Sequence, residues 1–219
     1  MDTLLVRSFA GLQDYSSTWQ AMQAFTAARL SGTADELWFL EHHPVFTQGQ
    51  AGRVEHVLAP GATPVIRSDR GGQVTWHGPG QLMTYLLLDT RRRQLGPRQL
   101  VSLLEQATIA VLAELGLAGY ARADAPGVYV NLPVCGEAKI AAIGLRFRQQ
   151  GCYHGAALNI DCELEPYARI NPCGHAGMTV TRLADLLPAW PARSDIEQRL
   201  TQQLAMALNY RDILRLSAP

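Results

Sequence analysis

Apolar positions recur at helical spacing in three long stretches of the chain. After Ser16 or Ser17, either of which can cap a helix, Trp19, Met22, Ala24 and Phe25 fall near one face, and Ser31-Gly32 supplies a stop. Over residues 97–115, Leu100, Leu103, Leu104, Ala107, Val111 and Leu115 form a continuous apolar face. Pro97 suits its first turn, and Gly116 suits the position just past its end. Ser194-Asp-Ile-Glu197 reads as a capping box opening a last helix through Leu200, Leu204 and Leu208, and a short helical segment is expected over 183–187.

Between these helices the pattern changes to short runs suited to strands. Residues 36–41, 64–67, 82–89, 125–130, 139–147 and 151–161 read this way, and the last two are expected to pair antiparallel. Strands outnumber helices and cluster by hairpins. The expected fold class is α+β, with one mixed, mainly antiparallel sheet flanked by helices. Residues 48–63, rich in glycine, proline and alanine, read as a surface excursion.

With 219 residues the chain can bury a full core, and the expectation is a single catalytic domain over 1–219. The formal net charge is zero, which argues against a dominant nucleic-acid or anionic-membrane surface. No apolar run reaches membrane-spanning length, and the N-terminus lacks the basic and apolar blocks of a secretory signal. A cytoplasmic protein is expected. Cys135, Cys152, Cys162 and Cys173 include no Cys-x-x-Cys pair, so thiols are expected rather than a zinc site or disulfides.

Three features carry candidate chemistry. The first is Cys173 in Arg169-Ile-Asn-Pro-Cys-Gly-His175, where Pro172 and Gly174 impose a turn that exposes a thiol. The second is Lys139, the one lysine beside eighteen arginines. Its amine can lose and regain a proton when desolvated, which a guanidinium cannot, and an ammonium beside a thiol favours the thiolate. A half-buried structural cysteine and a lysine left by an arginine-rich composition are the plain alternatives.

The third is the stretch Arg70-Gly71-Gly72-Gln73-Val74-Thr75-Trp76-His77-Gly-Pro-Gly-Gln81, whose glycines describe backbone approaching something closely. It suits an anion cradle or a slot for an unbranched chain, or simply a tight hairpin with His77 in the core. Gly144, inside its strand, marks close approach of another backbone or a ligand. His42-His43-Pro44 reads as loop packing rather than a metal pair. Arg91, Arg92, Arg93 and Arg98 make a basic cluster that reads as a solvated loop or a dock for an acidic partner.

These motifs, with Arg122-Ala-Asp-Ala-Pro-Gly-Val-Tyr-Val130, Lys139-Ile-Ala-Ala-Ile-Gly-Leu-Arg146 and His154-Gly-Ala-Ala-Leu-Asn159, resemble the lipoyl(octanoyl) transferase family in content and order. The resemblance runs from about Val6 to Asp185, with Trp76 where the family has tyrosine and a small insertion at 131–134. It implies a fold similar to the catalytic module of lipoate and biotin protein ligases. It also implies octanoyl transfer from octanoyl-acyl carrier protein to a lysine of lipoyl domains, in 2-oxoacid dehydrogenase subunits or the glycine cleavage H protein, with no cofactor and no metal.

By this resemblance Cys173 is the acyl-thioester nucleophile and Lys139 its partner. Arg70 through His77, Ala142, Ile143, Gly144, Gly155, Ala156 and Ala157 line the substrate site. Small residues there suit a straight C8 chain, whose seven apolar carbons beyond the carbonyl, at about 0.8 kcal/mol each, give on the order of 6 kcal/mol on burial. The rival readings are an ATP-dependent lipoate- or biotin-type ligase, a hydrolase pairing Cys173 with His175 or His154, and a non-enzymatic metal-binding protein using Cys152, His154, Cys162 and Cys173.

Overall fold

The computed structural model describes residues 3–134, 136–149 and 151–217. Strand β1 (Thr3–Gln13) crosses through helix α1 (Tyr15–Ala27) to its parallel neighbour β2 (Asp35–His42). Next come β3 (Val45–Gln48), β4 (Val65–Arg67), β5 (Val74–His77), β6 (Gln81–Leu87) and the long helix α2 (Pro97–Glu114). The hairpin strands β7 (Gly119–Ala121), β8 (Gly127–Leu132), β9 (Gly136–Arg148) and β10 (Gly151–Asn159) follow, then α3 (Leu183–Leu186), α4 (Arg193–Ala207) and β11 (Asp212–Ser217).

Eight strands form one sheet in the order β11-β1-β2-β6-β10-β9-β8-β7. Its pairings are parallel on both sides of β1 and antiparallel elsewhere, which gives the mixed, mainly antiparallel sheet expected. The glycine-rich stretch does not join it. β5 instead pairs with β3, and β3 with β4, in a separate three-stranded sheet.

Two-residue alternation sorts the large sheet's side chains into two cores. Leu37 and Phe39 of β2 and Leu82 and Leu86 of β6 pack with Leu100, Leu104, Ile196 and Leu200 from α2 and α4. Trp38, Leu40, Met83, Tyr85 and Leu87 face the other way and pack with Met22 of α1. A third cluster, around Phe46, Val74, Trp76 and Tyr167, supports the small sheet.

Several sequence expectations need correction. Helix α1 is capped by Asp14, whose carboxylate accepts from Ser17 N at 2.8 Å, rather than by Ser16 or Ser17, and it ends at Ala27 rather than near Ser31. The box proposed at 194–197 does not form. α4 begins at Arg193, and Glu197 is drawn off to accept from Ser8 Oγ and Arg193 Nε, both at 2.7 Å. Strands β1 and β11, absent from the sequence reading, form the far side of the sheet. On β11, Ile213 and Leu214 are exposed, so burial imposes no alternation there.

Arg92 and Arg93 of the arginine cluster turn inward. Asp35, fully buried, meets Arg29 Nη2 and Arg92 Nη2 at 2.8 Å and Arg93 Nε at 3.7 Å, and accepts from Tyr210 Oη at 2.6 Å. Arg93 also lies over the Tyr210 ring at 3.8 Å. Arg91, whose side chain is 67% exposed, and Arg98 remain at the surface. Residues 131–134 form the end of β8 and its turn toward β9, while Cys135 lies outside the described residues. Among the described residues, no helix is long and apolar enough to cross a membrane.

Candidate active site

Pro172, Cys173 and Gly174 make a single tight turn in which Cys173 has φ 55° and ψ 18°. A non-glycine residue in this left-handed region costs about 1–3 kcal/mol and persists only where its surroundings hold it. They do so on both sides. Asn171 N donates to His56 O at 2.8 Å, and Val57 bridges Ile170, which bolts the turn to the 48–63 excursion. Downstream, Lys139 N donates to Thr179 O and Thr181 N to Lys139 O, both at 2.9 Å. The segment after the cysteine is thereby stitched onto β9 beside the lysine.

Lys139 lies in β9 where the β8–β9 register slips, Tyr129 facing Lys139 while Val128 faces Ala141. Such a bulge re-aims a side chain. The ammonium is buried, 3.0 Å from Pro126 O and 5.0 Å from the centre of the Tyr129 ring, and its remaining bond goes to Cys173 Sγ at 3.1 Å. Gly127 makes room for it, since a Cβ there would come within 2.5 Å of Ala141 O and 3.0 Å of Lys139 Cε. Burial opposes the charge, but the neighbouring Cys173 and Tyr129 outweigh it and hold the lysine pKa above its ordinary value.

Among the described residues, cysteine environments separate one thiol from the others. Burial pushes the Cys152 and Cys162 thiols up to about 12, which makes both inert at neutral pH, whereas Cys173 is partly exposed. Cys152 sits in the α2/α4 core and Cys162 in the small-sheet cluster, so the cysteines do not converge. Among the described residues, no three His, Cys, Asp or Glu side chains are placed to hold a metal. His154, proposed as a hydrolytic partner, binds Asp69 through Nε2 at 3.2 Å instead.

Cys173 lines a narrow cleft between the large sheet and the glycine-rich loop. Arg70, Gly72, Gln73, Val74, Thr75 and His77 contribute from the loop and β5; Ala142, Ile143, Gly144, Gly155, Ala156 and Ala157 contribute from β9 and β10. Gly71 and Trp76 do not line it. Gly71 N anchors the loop to Leu145 O at 2.9 Å, and Trp76 points into the third cluster against Tyr167. Tyr15, Met83, Tyr85 and His154 line the cleft without having been singled out for it in the sequence. The signal for Met83 and Tyr85 is their alternation on β6, readable only once β6 is known to pair with β10.

The loop is held by its own polar groups. Arg70, buried, donates through Nε and Nη2 to Thr47 Oγ1, through Nη2 to Gln73 O at 2.7 Å and through Nη1 to Gly71 O at 2.8 Å. It acts as a brace for the backbone. His77 is likewise committed, with Nδ1 2.7 Å from Gln81 Oε1 and Nε2 3.1 Å from Thr47 Oγ1, and burial holds its pKa well below the usual range. Its place is that of a satisfied, neutral histidine in the cleft wall. His42, at the end of β2, bonds Gln13 O and Tyr85 Oη, while His43 and Pro44 are exposed.

The lipoyl protein ligase A/B catalytic domain family matches residues 14–205. An octanoyltransferase from Azotobacter vinelandii is 55% identical over 200 residues, covering 91% of this chain and 89% of the relative. One from Escherichia coli O139:H28 is 51% identical over 217 residues, covering 99% of each. Among solved structures, a lipoate-protein ligase A bound with ATP matches with a TM-score of 0.72 at 16% identity, covering 100% of this chain and 90% of that one. A biotin protein ligase from Aquifex aeolicus matches with a TM-score of 0.53 at 12% identity, covering 95% and 70%. With relatives this similar along almost the whole chain, and a fold shared with lipoate and biotin ligases, the chain belongs to the octanoyltransferase family of the lipoyl protein ligase A/B catalytic domain.

Proposed function

We propose that this chain is an octanoyltransferase of protein lipoylation, carrying the acyl group between donor and acceptor as a thioester on Cys173. The observation that carries the reading is the 3.1 Å contact between Cys173 Sγ and the buried Lys139 amine, on a cysteine that lines a narrow cleft walled by glycines and alanines. The donor is octanoyl-acyl carrier protein, and the acceptor is a lysine of a lipoyl domain of a 2-oxoacid dehydrogenase subunit or of the glycine cleavage H protein.

The pair supplies both half-reactions. In the first, the Cys173 thiolate attacks the thioester carbonyl, the bond to the carrier's sulfur breaks, and Lys139 gives a proton to the departing thiolate. One thioester replaces another, so the exchange is close to balanced. Acylation then removes the cysteine's charge, while the burial that disfavours the ammonium remains. Having given its proton to the carrier thiolate, Lys139 meets the acceptor amine in its neutral form. It takes that amine's proton as the amide forms and the Cys173 thiolate leaves, which restores the starting pair.

Intact-mass measurement after mixing with octanoyl-carrier thioester tests the reading. An added octanoyl mass located on Cys173, lost on addition of a lipoyl domain without ATP, is expected. A requirement for ATP, or an unmodified Cys173 during turnover, would overturn it.

A further inference from the structure

The face of the large sheet that floors the cleft changes character from strand to strand. Ala142 of β9 lies opposite Ala157 of β10, which lies opposite Met83 of β6. The neighbouring row runs Gly144, Gly155, Tyr85. Both rows therefore pass from no side chain, or a methyl group, on two strands to a long side chain on the third. All six residues line the same cleft. We propose that Met83 and Tyr85 form its end wall and fix the length of acyl chain accepted, a proposal that rests on reading the cleft as the acyl site.

The distance is right for the task. Cys173 reaches the cleft at the β9 side, beside Lys139, and β6 is two strand spacings away, about 10 Å. That span is of the same order as an extended eight-carbon chain. The two wall residues also differ in stiffness. Tyr85 is fully buried with its hydroxyl 2.7 Å from His42 Nε2, and His42 is tied in turn to Gln13 O at 3.0 Å. Its ring is a fixed stop. Met83 is held only by packing, against the cluster that contains Met22, Leu40 and Ala157, and its unbranched thioether yields more readily.

Met83 is therefore the position at which the ruler can be reset. Met83→Ala removes three heavy atoms and leaves room for about two methylenes. The expected result is a rise of roughly tenfold in kcat/KM for decanoyl relative to octanoyl thioester, at about 0.8 kcal/mol per added methylene. Met83→Phe brings the wall forward and is expected to move the optimum toward hexanoyl; it tests the same claim independently should Met83→Ala fold poorly.

The experiment is acylation of the purified full chain by C4 to C14 acyl-pantetheine thioesters, read by intact mass and by rate. Octanoylated Cys173 in the parental protein, with an unchanged length profile in both variants, would overturn the end wall alone. A Cys173 that accepts no chain of any length would overturn the acyl-site reading and this one with it.

Discussion

At position 139 the chemistry turns on whether the cation can lose its proton. A lysine can give up its proton and an arginine cannot. Lys139→Arg keeps a cation near Cys173 but can neither give a proton to the departing carrier thiolate nor take one from the incoming amine; a thiolate can leave unprotonated, so thioester formation is expected to slow far less than transfer. Single-turnover measurements should show acyl-enzyme accumulating and its transfer slowed about 10²-fold or more. Equal loss in both half-reactions would remove the base role. Cys173→Ser should carry no acyl group at all.

Gly144 illustrates the opposite case, a position whose role the sequence left open between ligand and backbone. A Cβ there would lie 2.8 Å from Gly71 O, so its glycine serves the close approach of the 70–73 loop. Gly144→Val is therefore expected to push that loop off β9 and lower stability, rather than shorten the preferred chain as a simple wall residue would. Thermal melting together with the length profile separates the two effects.

Among the elements, the segment after β6 shows how a charge run can mislead. Arg91, Arg92 and Arg93 look like a docking patch in sequence, yet Arg92 and Arg93 reach back to the carboxylate at the start of β2. Asp35→Ala would strand Arg29, whose side chain is 2% exposed, without its partner. Breaking such a pair costs about 3–5 kcal/mol. Urea unfolding should report a loss of that size, while Arg91→Glu should fall within about 0.5 kcal/mol of the parent. Comparable losses for both would mean that the pairing contributes little.

For the molecule as a whole, the packing around the cleft ties stability to pH. Burial lowers the His42 pKa to about 4, lowers that of His77 well below its ordinary value, and lowers that of His154 despite the Asp69 carboxylate. Each folded value lies below the unfolded one, so between the two the unfolded chain binds more protons. Stability from these groups is complete above about pH 6.5 and is lost as pH falls toward the folded values. His42 alone accounts for about 3 kcal/mol across the window from 6.5 to 4. Denaturant midpoints should drop steeply over that range, and His42→Gln should flatten the slope. A midpoint independent of pH there would contradict the buried, neutral state of these rings.

The amino-acid sequence by itself determined the elements whose signals are local. Pro97, the apolar face of α2 and Gly116 bound that helix without help from the rest of the chain, and the small residues of β10 and their antiparallel pairing with β9 were readable from composition. It also singled out Cys173 through its proline and glycine, and Lys139 through its rarity. What only the tertiary structure decided was every relation between distant segments. It brought the two residues, 34 positions apart, to 3.1 Å through a register slip in β9 and backbone pairing with residues 179–181. It turned Trp76 away from the cleft, spent Arg92 and Arg93 on Asp35, and set Met83 and Tyr85 opposite the small residues of β10. The physical reason is that turns, caps and periodicity are fixed by neighbours along the chain, whereas proximity across a sheet depends on strand order, and strand order is set by which faces can be buried together.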